Sequence, residues 1–334
     1  MATAWPSVGL ADDHAAPLSR PERLARGRVC LDIHGLPRRG YICAEVVANT
    51  DEEDRDGRIL PVTHWASLVV FVILVPALVI LWGLPDRTAD AWSWTIEPTL
   101  TPIFLGAGYG AGAYFFLRTF LAKQFHPSAA GIFGAAFFAT LMLIATIIHW
   151  DRFNHGDAPL IGAMVFYGWV AVYIISPVVV FGLWWFNRRT DSGEPARGEA
   201  IVPAWVRRMA QVGAVGAFIA AGVFFLAPEK AIEIWPWELT PLTSRVLGSF
   251  TAQVGAGALL LSLDRRWSAW KLIVETFFVA TVLLLIGAIR AWDDFDTDNV
   301  MTYLYVGGLL AADIALLLLY RGMSRPQGVV RGAV

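Results

Sequence analysis

The sequence predicts an all-α, polytopic integral membrane protein with eight transmembrane helices arranged as two parallel four-helix repeats. Three observations predict it. Of 334 residues, 56% are hydrophobic and 16% charged, with a mean hydropathy of +0.54. An average soluble chain is about 25% charged, and a soluble fold could not hide this much apolar surface. Eight runs match the length of about 20 residues that a helix needs to cross a bilayer core. Finally, the chain repeats itself. Pro85-Asp86-Arg87-Thr88-Ala89-Asp90-Ala91-Trp92-Ser93-Trp94 returns, at a shift of 143 and without a gap, as Pro228-Glu229-Lys230-Ala231-Ile232-Glu233-Ile234-Trp235-Pro236-Trp237.

The N-terminal segment, residues 1–64, reads as cytoplasmic. Residues 1–28 are rich in Ala, Pro and Arg and are expected to be disordered. Residues 29–33 and 41–48 look like short strands of a small hairpin around Gly35 and Gly40, and Asp51-Glu52-Glu53-Asp54 reads as a solvated spacer. The two cysteines, Cys30 and Cys43, make no disulfide framework, and with His34 they form a poor metal set because no CxxC is present. The start lacks the pattern of a cleaved signal peptide, so the first apolar run is expected to stay as an anchor.

The eight spans are read at 65–83, 100–121, 129–149, 160–186, 205–226, 246–263, 269–289 and 300–320. Helices are the reading for runs this long, because backbone groups in lipid must be satisfied within the segment. The alternating pattern of a barrel is absent. Pro76 in span one and Ser176-Pro177 in span four are expected to kink their helices.

Orientation follows from basic residues between spans. The connections after spans two, four and six, with the span ends that adjoin them and the C-terminal tail, hold 13 Arg and Lys, against five on the other side. That predicts both termini in the cytoplasm. Acids run the opposite way, four against twelve. Tryptophans gather at span ends, where indoles settle at headgroup depth.

The first repeat covers 65–204, ending in a cytoplasmic linker from 187, and the second covers 205–334. Weaker echoes extend the match: Trp150-Asp151-Arg152-Phe153 resembles Trp292-Asp293-Asp294-Phe295 at a shift of 142. Four spans per unit is an even number, so both units enter the membrane in one direction, as a parallel repeat. Two four-helix bundles packed face to face are expected. Gly106, Gly108, Gly110 and Gly112, then Gly213, Ala217 and Ala221, then Gly255 and Gly257, stand at spacings suited to close helix packing.

Two carboxylates lie within spans, Glu275 in span seven and Asp313 in span eight. Counted from the span ends, both sit about two turns from the cytoplasmic side at nearly one depth. Gln253 in span six is a third, deeper polar group. An ionised carboxylate in a bilayer costs at least ~2.5 kcal/mol, which predicts that these groups face an interior or a wet cavity. This candidate intramembrane polar site, Glu275, Asp313 and Gln253, points to coupling of a proton or small cation in a transporter- or channel-like protein. The structural alternative pairs Glu275 with Lys271, one turn away, and Asp313 with Tyr303, Tyr305 or a neighbouring helix end.

The competing class is a non-catalytic scaffold or partner-binding protein of the cell envelope, with Trp92, Trp94, Trp235 and Trp237 as an outer docking surface. The acidic run 293–299 lacks the sixth-position glycine and closing glutamate of a calcium loop. None of the six histidines lies mid-span, and His149 and His155 with Asp151 and Asp157 match no strong metal template. No Ser-His-Asp, HExxH or Walker pattern is present, so an enzyme, a cofactor and a metal centre are not expected. The net charge of −2 gives no pull toward nucleic acid. Only three of 26 basic residues are lysine, a composition of GC-rich bacteria. The expected partners are therefore the lipid bilayer, a proton or small cation, and an envelope protein; the expected location is the bacterial inner membrane.

Overall fold

In the computed structural model, residues 26–33, 40–47, 57–155 and 160–324 are described. The disorder expected at 1–28 lies outside them except at Arg26–Arg28, which open a strand; the hairpin turn, His34, the spacer 51–54 and Asp157 also lie outside. The chain forms two compact units, Met1–Asp56 and Gly57–Val334. In the first, β1 (Arg26–Ile33) pairs antiparallel with β2 (Gly40–Val47), with Cys30 opposite Cys43 in the register.

The second unit holds ten α-helices among its described residues: α1 (Pro61–Leu78), α2 (Thr88–Ala91), α3 (Leu100–Leu121), α4 (His126–Ile148), α5 (Leu160–Asn187), α6 (Ala204–Leu226), α7 (Pro228–Ile234), α8 (Pro241–Leu263), α9 (Trp267–Arg290) and α10 (Val300–Met323). Eight are long and apolar enough to cross a membrane. The short α2 and α7 sit in the two Trp-x-Trp loops, where Pro85 and Pro228 open the helical turns.

Local chemistry sets the ends. Proline stands in the first turn of α1, α4 and α8, where its missing N–H costs nothing. These three helices start earlier than hydropathy alone predicts, because their first turns carry polar residues such as Thr63, Ser128 and Ser244, all buried. Thr240 and Thr243 close a reciprocal cap on α8, each side chain serving the other's backbone N–H. Past Pro76, α1 widens into a π-turn over Val79–Gly83. Threonine hydroxyls within the helices turn back on their own backbone: Thr119, Thr140, Thr146 and Thr251 each donate to the carbonyl four residues earlier.

Four helices, α3, α4, α8 and α9, form the centre, with α3 packed on α9 and α4 on both α8 and α9. The other four long helices clad it: α1 on α3, α5 on α4, α6 on α8 and α10 on α9. Among the four central helices the packing therefore runs across the two sequence halves, and α3 meets α4 only lightly. Glycines set the spacing. A Cβ on Gly134 of α4 would lie 2.7 Å from the Gln253 carbonyl of α8, and one on Gly287 of α9 would lie 2.3 Å from Ile103 of α3. Gly106 meets the Trp82 backbone just as closely, at 2.6 Å. Gly213 of α6 is different: it faces open space, and Ala214 beside it is the buried residue, its carbonyl against Gly255 of α8.

Two polar clasps tie connections to helix ends at one face, called here the linker face. Arg58 bridges Gln124, and Ile201 bridges Arg266, each as a single antiparallel β-bridge. Asn187 at the end of α5 is fully buried; its Oδ1 accepts from Leu60 N (2.9 Å) and its Nδ2 donates to the Arg58 carbonyl (3.0 Å). The opposite, Trp-x-Trp face holds an aromatic core of Trp92, Trp94, Tyr109, Trp169 and Trp237.

Candidate functional site

Glu275 lies near the linker end of α9, where α3 and α10 flank it. Arg118 Nη1 of α3 donates to Glu275 Oε2 at 2.7 Å, Tyr114 OH to the same oxygen at 2.9 Å, and Tyr320 OH of α10 to Oε1 at 3.1 Å. The arginine side chain is 42% exposed, so this ion pair sits at a rim. Lys271, one turn earlier, instead stands 5.7 Å over the Tyr320 ring. The expected Lys271–Glu275 pairing is thus replaced by one from another helix, which the one-turn rule cannot see.

Asp313 is buried and accepts a hydrogen bond from Thr281 Oγ1 of α9. Antiparallel α9 and α10 therefore set Glu275 level with Tyr320 and Thr281 level with Asp313. The two carboxylates are about 9 Å apart along the helix axis, six residues at 1.5 Å each. Counting from the span ends misses this stagger, because Tyr320 stands level with Glu275 and not with the start of α9. Gln253 faces α4, where its backbone carbonyl meets Gly134. No hydrogen bond joins any two of Glu275, Asp313 and Gln253. Glu275→Gln should leave thermal stability within about 1 kcal/mol, because the arginine left behind is 42% exposed and stays solvated; a larger drop in detergent melts would contradict the rim assignment.

A denser polar cluster lies at the linker face, where the first turns of α4 and α9 meet the connection between α5 and α6. Arg266 is buried, at 4% exposure. It donates through both Nη atoms to Asp191 (2.7 Å each) and through Nε and Nη2 to Asp264 (2.6–3.1 Å). Beside it, Ser268 Oγ donates to Glu199 and contacts His126 Nε2 at 2.7 Å. A hydroxyl has one proton, and Glu199 takes it, so His126 Nε2 is the donor in its bond to Ser268. A cavity of about 360 Å³ opens here, lined by His126, Trp184, Arg188, Asp191, Asp264 and Arg266.

Burial alone would raise the Asp191 carboxyl, but the Arg266 guanidinium and the Gly193 N–H hold it below the usual range. Glu199 is likewise held low despite burial, by Ser268 and the Ala196 N–H. Burial works against the Arg266 charge, yet its two carboxylates raise it overall. Depressed carboxyl values mean that this stabilisation is complete above about pH 4, the unfolded value, and fades as pH falls through the lower folded values. Acid titration followed by linker proteolysis should show cleavage rising only below about pH 4. Cleavage unchanged at low pH would contradict it.

On the Trp-x-Trp face the docking surface expected from Trp92, Trp94, Trp235 and Trp237 does not form. Trp92, Trp94 and Trp237 are buried at 5%, 2% and 3%, and Trp235 is partly buried against the same core. The loops fold inward because their rings find aromatic partners: Trp94 meets Phe153 and Trp169 edge-on, and Trp237 meets Phe295 and Tyr305. Trp237 Nε1 donates to Thr101 Oγ1 of α3 at 2.9 Å. The indole N–H groups of Trp92, Trp94 and Trp235 have no protein acceptor, so their faces and not their nitrogens hold them.

The acidic run 293–299 is a set of caps. Asp294 Oδ2 accepts from Leu100 N at the start of α3 (2.6 Å), and Asn299 Oδ1 accepts from Met301 N. His149 accepts from Arg245 Nη1 of α8 at 2.8 Å, while His155 stacks on Trp150, so these histidines serve different partners. Burial, then Arg245 and Arg152, hold the His149 value below the ordinary one. Its tie to Arg245 should therefore persist to lower pH than a free histidine allows and fail on protonation. His149→Gln should remove that pH step from thermal melts, and an unchanged step would place it elsewhere. Among the described residues, no group of three His, Cys, Asp or Glu side chains is placed to hold a metal.

Comparison with family models, with curated proteins and with solved structures finds no match to this chain.

Proposed function

We propose that this is a multi-pass protein of the bacterial cytoplasmic membrane, built from two parallel four-span repeats, that serves as a non-catalytic membrane scaffold for an envelope partner. The observation that carries the reading is the seam between the halves. Polar ties cross it at both ends and glycine contacts close it between them. His126–Ser268, Arg118–Glu275 and Arg266–Asp191 cross at the linker face. His149–Arg245, Leu100–Asp294 and Trp237–Thr101 cross at the other. A conduction path between halves would have to part contacts in which backbone already touches backbone.

The duplication is supported by the way contacts map. The 143-residue shift carries α1, α3, α4 and α5 onto α6, α8, α9 and α10. Under that exchange α1–α3 becomes α6–α8, α4–α8 becomes α9–α3, and α4–α9 maps onto itself. His126 and Ser268, matched at a shift of 142, touch each other, as residues beside a two-fold axis must. The bridges Arg58–Gln124 and Ile201–Arg266 are also mates.

The basic excess at the linker face supports a cytoplasmic placement. Ser192→Cys should react with an impermeant maleimide only after cells are opened, and Asp298→Cys in intact cells, since both positions are exposed. The reverse labelling would overturn the orientation.

A second reading keeps proton or cation coupling, and Asp313 favours it, being a buried carboxylate whose hydrogen-bond partner is a neutral threonine. Proteoliposomes decide between the two. The scaffold reading expects no proton or monovalent-cation flux above protein-free vesicles. Flux that falls with Asp313→Asn would overturn it.

A further inference from the structure

The surface of α4 and α5 carries an apolar groove of about 790 Å³, lined by Phe137, Leu141, Pro177, Gly182, Trp185 and Phe186 among others. Along α5 it runs from Pro177 to Phe186, about 14 Å at 1.5 Å per residue. Its floor is open at Gly182, where a Cβ would meet no atom within 4 Å. Phe137, Phe181 and Phe186 are exposed, so the groove faces outward from the helix body.

Two arginines stand at its linker-face end. Arg188 lies 3.9 Å over the Trp185 ring and 4.7 Å over Trp184; Arg189 lies 5.8 Å from Trp185 and 5.5 Å from Phe186. Both are exposed, and neither meets a carboxylate among the described residues. Three other arginines of this face are paired, Arg118 with Glu275, Arg265 with Glu194 and Arg266 with two aspartates, and Arg188 and Arg189 are the two that stack on aromatic rings lining the groove. Stacking on aromatic faces fixes a guanidinium while leaving its N–H fork free, which suits a phosphate.

We propose that this is a binding site for an anionic phospholipid, with the headgroup phosphate on Arg188 and Arg189 and one acyl chain in the groove beside Gly182. The proposal rests on the membrane reading and on a cytoplasmic linker face. Charge selects the headgroup and the apolar walls select the chain. A soluble anion would use the first and ignore the second.

The test uses the full chain, delipidated in detergent and titrated with phosphatidylglycerol or phosphatidylcholine of the same chains, with bound lipid counted by native mass spectrometry. Phosphatidylglycerol should bind more tightly than phosphatidylcholine. Arg188→Gln with Arg189→Gln should weaken it about thirtyfold, on the scale of two basic residues near an anionic surface. Gly182→Leu, which fills the groove without a clash, should weaken it too at an unchanged melting temperature. Equal binding of the two lipids, or undiminished binding by either variant, would overturn the site. If carbonate washing strips the protein from membranes, the membrane reading fails first. Retention in the membrane pellet without lipid preference sinks this proposal alone.

Discussion

Arg266→Gln is expected to destabilise the protein by about 3–5 kcal/mol, the cost of leaving buried charge without its partner. The guanidinium side chain is 5% exposed and serves Asp191 and Asp264, which are 19% and 22% exposed. Removing it leaves two partly buried carboxylates side by side without their cation. Arg266→Lys should recover only part of the loss, because an ammonium cannot match two carboxylates with a planar fork. Replacing all three, with Arg266→Met, Asp191→Asn and Asp264→Asn, should restore much of it, since the desolvation penalty then disappears with the charges. Thermal melts in detergent read the series. A single variant that melts like the parent would show that the cluster is solvated and structurally idle.

Gly134→Leu should cost at least about 1–3 kcal/mol, the range for overpacking a filled interior. The obstacle is the Gln253 carbonyl, 2.7 Å from the Cβ position, and the Gly257 N–H lies 3.4 Å away. Both are backbone, so neither can swing aside as a flexible side chain would; α4 and α8 must separate. Gly213→Leu is the matched control, because no atom lies within 4 Å of its Cβ position. The control should melt like the parent and the seam variant well below it. Equal melting would mean that the seam yields readily, as a moving interface does.

Hydropathy made the eight long helices legible, and the ends shifted where proline and buried Ser or Thr opened a helix ahead of its apolar stretch. Glycine spacing marked α3 as a packing helix, yet spacing alone could not say that Gly213 faces outward while Gly134 bears the seam. The candidate site was less legible. Glu275 and Asp313 stood out as acids within apolar runs, but their partners, Arg118 and Thr281, come from registers between helices that sequence distance does not encode. The Arg266 cluster was missed because residues 187–204 read as a solvated connector. The available clue was that His126 and Ser268 are repeat mates at two helix starts, positions an axis could bring together. The tryptophans were visible as a repeat, but side-chain direction decides between docking surface and core, and Phe153, Trp169 and Phe295 drew them inward.

Pulsed electron-spin distances across the two halves test the closed seam most directly. Cys30 and Cys43 are first replaced by Ser, and labels are placed at exposed mates, Arg87 with Lys230 at one face and Lys123 with Arg265 at the other. A locked seam predicts one narrow distance for each pair, unchanged between neutral and mildly acidic pH and on adding monovalent cations. Two populations whose weights exchange between the faces, one pair closing as the other opens, would contradict the scaffold reading and restore transport.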